Sequence, residues 1–279
     1  MKLSNALLGG LGIATLAIGA LSGPAAADDK FAYTWTVTGA SDYIFRGLSY
    51  TQNDPTVNSY LEFTYNTGGI LGTAYLGFWT SNINTADNGL GPWEQDVYLG
   101  IRPVTGPINW DIAALWYIYG NKGEDPGGYF GFGPGTGSVW DTDYVEFKVG
   151  ATTSPITNLT LGATLYYQVN QDVAAPENVS IEGTVAYTFP AVGIFTPTVS
   201  ALIGHSSAED NAFYFDTPND QSGYWQGAQE YYYWNAGLKL AVEKFTFDFR
   251  YWDTDIPSEA FGANFADERF VFTTSLTLP

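Results

Sequence analysis

The 279-residue chain contains no cysteine and a single histidine, His205. Disulfide scaffolds, cysteine-ligated zinc centres and thiol nucleophiles are therefore excluded. Charge is scarce too: Asp, Glu, Lys and Arg make up 14% of the residues, against about 25% in ordinary globular domains. Basic residues are scarcest, with 10 Lys and Arg against 29 Asp and Glu and a net charge of −19. So few cations cannot build a phosphate-neutralising patch, which excludes nucleic acid as a partner. After the N-terminus, no stretch approaches the roughly 18 consecutive apolar residues of a membrane-spanning helix.

What is abundant is aromatic: Phe, Trp and Tyr supply 17% of the chain. The N-terminus reads MKLSNALLGGLGIATLAIGALSGPAAADDK, with Lys2, a Gly-interrupted apolar stretch and Ala25-Ala26-Ala27 before an acidic pair. This is the pattern of a secretory signal peptide over 1–27, leaving 28–279 as the folded part. An exported chain without a second apolar helix is either soluble or crosses a membrane as a barrel.

From Phe31 onward, apolar and polar residues alternate with a period of two, and no segment shows a helical period. We read twelve strands, near 31–46, 56–66, 70–81, 94–102, 107–119, 142–152, 158–169, 178–189, 195–206, 230–240, 244–253 and 267–278. The two faces of 70–81 are not distinguishable from sequence. Short connections such as TSPITN and AVEK follow the even strands. Long ones such as GNKGEDPGGYFGFGPGTGSVWDT follow the odd strands. Long loops at one end, tight turns at the other and an even strand count predict an all-β fold, a transmembrane up-and-down antiparallel β-barrel of about 12 strands. The setting would be a Gram-negative outer membrane, with lipid as one partner and both termini on the periplasmic side.

The segment KFTFDFRYWDTD (244–255) shows the alternation most clearly, with Phe245, Phe247, Phe249 and Tyr251 on one face and Asp248 and Arg250 on the other. In a soluble sheet the aromatic face would be the core; in a barrel it meets lipid. The scarce strand charges share the parity of the polar residues. Asp42, Glu62, Glu94, Asp96, Asp111, Glu146, Glu182 and Asp248 are expected to face the lumen with Arg46, Arg102, Lys148, Lys239, Arg250 and Arg269. On a soluble protein these residues would scatter over the outside, so their convergence favours the barrel.

SDYIFRGLSYTQNDPTV (41–57) resembles the opening motif of a porin-like family of proteobacteria, the TorF type. YLGFWTSNIN (75–84), EQDVYLGI (94–101) and WDIAALWYIYG (110–120) fit the same pattern in order and spacing, and DYVEFKVGATTSPITNLTL (143–161) does so less distinctively. The resemblance covers roughly 35–165. It implies an outer-membrane barrel with a transport role, and it supplies no catalytic residues. The chain departs from the usual barrel in ending SLTLP rather than on an aromatic residue. Leu278, or Phe270 and Phe272, would then have to serve the assembly machinery.

Several constellations carry a functional reading beside a bland one. Asp42 and Arg46-Gly47 either line a constriction or pair across neighbouring strands. Asp248 and Arg250, with Glu146 and Lys148, set up either a transverse field in an open pore or a salt-bridged plug. The Gly-rich segment 127–137 is either an infolded constriction or a surface tip, and it lacks the Lys-Ser/Thr of a phosphate loop. Acidic residues of the long connections (Glu124, Asp125, Asp141, Asp172, Glu177, Glu209, Asp210, Asp216, Asp220, Asp255, Glu259) form a solvated surface or attract divalent cations. His205 and Ser207 share one face at the end of a strand, an arrangement also found where His activates Ser for acyl attack on lipids.

Three functions follow. The first is a passive channel for small hydrophilic solutes with a mild cation preference, without cofactor or catalytic residue. The second is a closed structural or adhesive barrel. The third is a lipid hydrolase working through His205 and Ser207. The oligomeric state is not set by the sequence.

Overall fold

The computed structural model describes residues 30–83, 92–119, 143–169, 177–208, 230–256 and 265–279. Among these there is no helix. The strands are β1 (Phe31–Ala40), β2 (Ile44–Phe45), β3 (Leu48–Ser49), β4 (Thr56–Asn66), β5 (Thr73–Asn82), β6 (Trp93–Arg102), β7 (Val104–Thr105), β8 (Ile108–Tyr119), β9 (Tyr144–Ile156), β10 (Leu159–Gln168), β11 (Asn178–Thr188), β12 (Thr196–Ala208), β13 (Glu230–Val242), β14 (Phe245–Thr254) and β15 (Arg269–Leu278). Twelve of them are long, and each pairs antiparallel with its neighbours in the chain order of long strands. Pairing of β6 with β8 bridges over the short β7, and pairing of β1 with β15 closes the cylinder. The fold is a closed twelve-stranded antiparallel barrel, as the loop rhythm predicts.

The register follows from side-chain chemistry. Along β1, Phe31, Tyr33, Trp35 and Val37 are exposed, while Thr34, Thr36 and Thr38 alternate toward the interior. On β14, Phe245 and Phe249 are exposed and Arg250 and Trp252 are buried, which puts the aromatic face of this strand outside. Leu99, Ile112, Trp116, Phe147, Ile181, Ile203, Tyr232 and Phe272 continue the outer surface on other strands. Large apolar side chains left exposed around a whole barrel fit a hydrocarbon surround, where water would penalise them. Strands of 10 to 13 residues, tilted as barrel strands are, suffice for an apolar band about 25 Å tall. On the outer face, Phe249 packs on Phe272 at 5.0 Å and Tyr251 on Phe270 at 5.3 Å, so the apolar surface is knitted across β14 and β15.

Three boundaries differ from the sequence reading by three residues or more. The first strand ends at Ala40 and not at 46: Ser41 N donates to Phe272 O at 2.9 Å as the last rung, and the chain then turns inward. The third long strand starts at Thr73, with Tyr75, Gly77, Trp79 and Ser81 inside and Leu76 and Phe78 outside. Its faces look alike in sequence because both carry aromatic residues. The strand read as 142–152 extends through Ile156 and turns at Asn158, whose φ of 67° allows a two-residue connection into β10. Leu278 lies opposite Trp35, so the final residues complete the β1–β15 seam.

Candidate functional site

The lumen is occupied by the chain itself. Residues 41–55, between β1 and β4, fold into the barrel as a small hairpin in which Ile44–Phe45 pairs with Leu48–Ser49. Arg46 and Gly47 form its two-residue tip with φ of 49° and 86°, the left-handed pair that a tight hairpin demands. Gly47 is required twice over. Its φ is costly for any side chain, and a Cβ there would strike Thr254 Cγ2 and lie 2.8 Å from Tyr233 Cβ. Arg46 accepts the same backbone penalty because its guanidinium finds a partner. It is 2% exposed, and its Nη1 lies 2.8 Å from Glu146 Oε1 on β9 while Nη2 donates to Glu146 Oε2 at 2.9 Å. Phe45 and Tyr166 flank its plane at 4.7 and 4.9 Å, and Tyr117 donates its hydroxyl to Glu146 at 3.0 Å.

The base of the hairpin is fixed as firmly. Asp42 accepts Ser49 Oγ at 2.6 Å and Thr51 Oγ1 at 2.7 Å, and Thr51 Oγ1 in turn accepts Tyr43 N at 3.0 Å. Arg269 on β15 closes on Asp42 at 3.1 Å and also donates to Asn53. The hairpin's own aromatics face a wall of tyrosines. Tyr43 packs on Trp79 at 5.1 Å, Phe45 on Tyr117 at 6.0 Å, and Tyr117 stacks on Tyr144 at 4.4 Å. Tyr43, Phe45, Leu48 and Tyr50 join Trp79, Tyr98, Tyr117, Tyr119, Tyr144, Tyr231 and Tyr233 in one buried cluster. Room for these rings comes from small residues on neighbouring strands, since a Cβ at Gly77 would collide with the Tyr98 ring and one at Gly204 with the Tyr233 ring.

Below the hairpin, toward the short turns, the wall carries two further charge networks. Arg102 binds Glu62 through both nitrogens at 2.8 and 2.7 Å and lies over the Tyr75 ring at 3.9 Å. Asp111 bridges Arg102 (3.8 Å) and Lys148 (2.8 Å) and accepts the Tyr75 hydroxyl at 2.5 Å. On the far wall Arg250 holds Asp248 at 2.9 Å, Asn235 at 2.6 Å and Ser200 at 3.0 Å, and Lys239 stands opposite Asp248 in register. Glu182 accepts the Tyr233 hydroxyl at 2.8 Å. Glu94 and Asp96 are buried beside the hairpin.

All the expected inward charges therefore face the interior: Asp42, Arg46, Glu62, Glu94, Asp96, Arg102, Asp111, Glu146, Lys148, Glu182, Lys239, Asp248, Arg250 and Arg269. Two of them do so from an unexpected place. Asp42 and Arg46 sit on the infolded hairpin instead of the first strand; Asp42 pairs with Arg269 on the adjoining β15, and Arg46 reaches across the lumen to Glu146 on β9. Glu146 and Lys148 do not act as one unit, since Lys148 goes to Asp111. The inward tyrosines were missed by the sequence reading, although Tyr98, Tyr117 and Tyr233 share parity with Asp96, Asp111 and Lys239 and could have been placed by it. His205 lies on the outer side of β12, with its ring on Tyr232 at 4.5 Å and Nε2 3.9 Å from Glu230; Ser207 is not among its partners. The leader expected over 1–27, the 127–137 segment and the acidic residues Glu124, Asp125, Asp141, Asp172, Glu209, Asp210, Asp216, Asp220 and Glu259 lie outside the described residues. Glu177 and Asp255 are described, at strand ends.

An apolar outer belt, a charged interior and full closure of the sheet define a barrel of the outer-membrane kind. The chain belongs to a bacterial protein family of unknown function (Gcw_chp), whose model matches residues 24–278. No curated protein matches the sequence. Among solved structures, the NanC porin is 10% identical, with a TM-score of 0.51 over 88% of this chain and 99% of that one. LpxR from Salmonella typhimurium is 10% identical, with a TM-score of 0.47 over 88% and 99% of the two chains. An outer-membrane channel from Pseudomonas putida F1 is 10% identical, with a TM-score of 0.43 over 90% and 97%. At such identity the NanC likeness is one of fold, and it agrees with the barrel described above.

Proposed function

We propose that the protein is a Gram-negative outer-membrane channel, exported by a cleaved leader at 1–27, that passes small hydrophilic solutes by diffusion and catalyses no reaction. The observation that carries this reading is the division of the lumen. The half nearest the short turns is lined by partly exposed hydroxyls such as Thr34, Thr36, Thr246, Ser275 and Thr277, which suit a wet vestibule. The half nearest the long connections is narrowed by the hairpin and its two ion pairs. Conduction then depends on how far the hairpin yields, and the surplus of inward acids over bases favours cations over anions. The TorF-type resemblance of residues 41–57 supports a transport role, and those residues are the constriction itself.

The lumen residues take roles accordingly. Asp42, Arg46, Glu146 and Arg269 hold the constriction. Glu62, Arg102, Asp111, Lys148, Glu182, Lys239, Asp248 and Arg250 line the path below it, and Asp96 stands beside the hairpin. Outer-membrane lipid is the surround, and divalent cations would bridge the acidic connections to it. The test is planar-bilayer recording of the purified protein beside a variant whose residues 42–53 are replaced by a short Gly-Ser link. A small steady conductance preferring K⁺ to Cl⁻, enlarged several-fold in the variant, is expected. A variant that inserts and still conducts nothing refutes the channel.

A second reading, a permanently closed barrel with a structural or adhesive role, is favoured by one observation: residues 43–51 are all buried. It predicts a silent wild type and a conducting variant.

A further inference from the structure

Most lumen acids have a cationic or hydrogen-bonding partner in the chain. Asp42 has Arg269, Glu62 has Arg102, Asp111 has Lys148, Glu146 has Arg46, Asp248 has Arg250, and Glu182 has the Tyr233 hydroxyl. Glu94 and Asp96 differ. They are adjacent inward positions on β6, 0% and 1% exposed. Both carboxylate oxygens of Asp96 and Oε2 of Glu94 are buried without a hydrogen-bond partner among the described residues. Glu94 Oε1 accepts the Tyr43 hydroxyl of the hairpin at 3.2 Å, and the Tyr119 hydroxyl also reaches the Glu94 carboxylate. No Lys, Arg or His forms an ion pair with either acid among the described residues. Desolvated carboxylates in this condition are costly unless a positive charge reaches them.

The surroundings are oxygen-rich. In register, Glu94 stands between Ser81 and Tyr119, and Asp96 between Trp79 and Tyr117. Ser81 is buried and its hydroxyl meets Thr56 Oγ1 at 2.7 Å. Glu94 lies one residue inside the long-connection rim of β6, which gives an ion an entry from the mouth. Glu182 is the third inward acid without a base, but the Tyr233 hydroxyl serves it at 2.8 Å.

We propose that Glu94 and Asp96 form a binding site for one hard divalent cation, Ca²⁺ or Mg²⁺, between the barrel wall and the hairpin. Carboxylate oxygens are the ligands such ions take, with water completing the shell. Because Tyr43 donates to Glu94, the bound ion also braces the hairpin against the wall. The site is separate from the acidic connections and does not depend on the channel reading.

The experiment uses chelator-stripped, folded protein in detergent at pH 8, titrated with CaCl2 and MgCl2 by calorimetry. One saturable site is expected in the wild type, with a rise in thermal unfolding temperature on adding the ion. In E94Q/D96N that site is lost, and only the weak, salt-sensitive uptake of the surface remains. A wild type that binds no divalent ion, or a double variant that keeps the saturable site, overturns the proposal. Tb³⁺ luminescence guards against a variant that misfolds. Trp79 flanks the site, so Tb³⁺ emission excited at the red edge of tryptophan absorption, where tyrosine is silent, should be lost on adding Ca²⁺ and fall severalfold in Trp79→Phe while Ca²⁺ stoichiometry stays at one. Emission unchanged in Trp79→Phe places the ion elsewhere and refutes the assignment.

Discussion

Arg46→Ala should release the hairpin from the lumen. In the folded protein Arg46 and Glu146 are 2% and 0% exposed and joined by two contacts at 2.8 and 2.9 Å. Removing one partner of a buried ion pair costs about 3–5 kcal/mol, because the survivor is left charged and unpaired. Here the lower end applies, since Tyr117 still donates to Glu146 at 3.0 Å and water can enter from the vestibule. The loss of cation–π contact with Phe45 and Tyr166 adds roughly 0.5–1 kcal/mol. The perturbation falls on hairpin docking and spares the sheet, because Arg46 lies at the hairpin tip and makes no rung of the barrel. A docking loss of about 3 kcal/mol corresponds to roughly two decades in the ratio of docked to undocked hairpin. The chain has no cysteine, so Leu48→Cys supplies a single thiol on the buried hairpin. Its maleimide labelling rate should rise about a hundredfold in the Arg46→Ala background, together with conductance. Glu146→Gln should give a smaller rise, and the double variant should show less than the sum, since each change removes the same pair. Labelling and conductance within threefold of wild type in both single variants would show that the pair does not hold the hairpin.

The outer face is tested by Phe249→Lys, which puts a charge on an exposed aromatic near the middle of β14. A loss of about 2–4 kcal/mol in urea titration of the vesicle-inserted barrel is expected, and a neutral result would mean the strand is turned the other way. Gly47→Val combines a φ of 86° with collisions at Thr254 and Tyr233; it should cost at least about 1–3 kcal/mol of docking and raise conductance. Gly77→Ala drives a methyl into the Tyr98 ring and should destabilise by about 1–3 kcal/mol. Tyr98→Leu in the same chain should restore most of that loss, read by the temperature at which the compact electrophoretic form is lost. Lys148→Ala with Arg250→Ala strips cations from Asp111 and Asp248, so the ratio of K⁺ to Cl⁻ permeability should rise, and an unchanged ratio would exclude these walls from the ion path.

The hairpin shows where local reading stops. Tyr43, Phe45 and Arg46 follow β1 with the same alternation, so a longer strand is the natural reading of 31–46. An Arg-Gly tip lacks the Asn-Gly or Asp-Gly signature of a tight turn, and the side chain that makes it affordable, Glu146, is 100 residues away. The inward tyrosines were within reach of parity with the charged residues, but tyrosine is also a lipid-girdle residue, and composition does not separate the two uses.

The sequence by itself determined the barrel, its strand count and which face of nearly every strand points inward. Period-two alternation, scarce charge of one parity and alternating loop length are local properties that survive without knowing any contact. Only the tertiary structure decided that the first long connection folds into the lumen, which acid each base takes, and that Glu94 and Asp96 are left without one. Those facts depend on side chains from different strands meeting across a closed cylinder, and closure brings together residues that no local pattern relates.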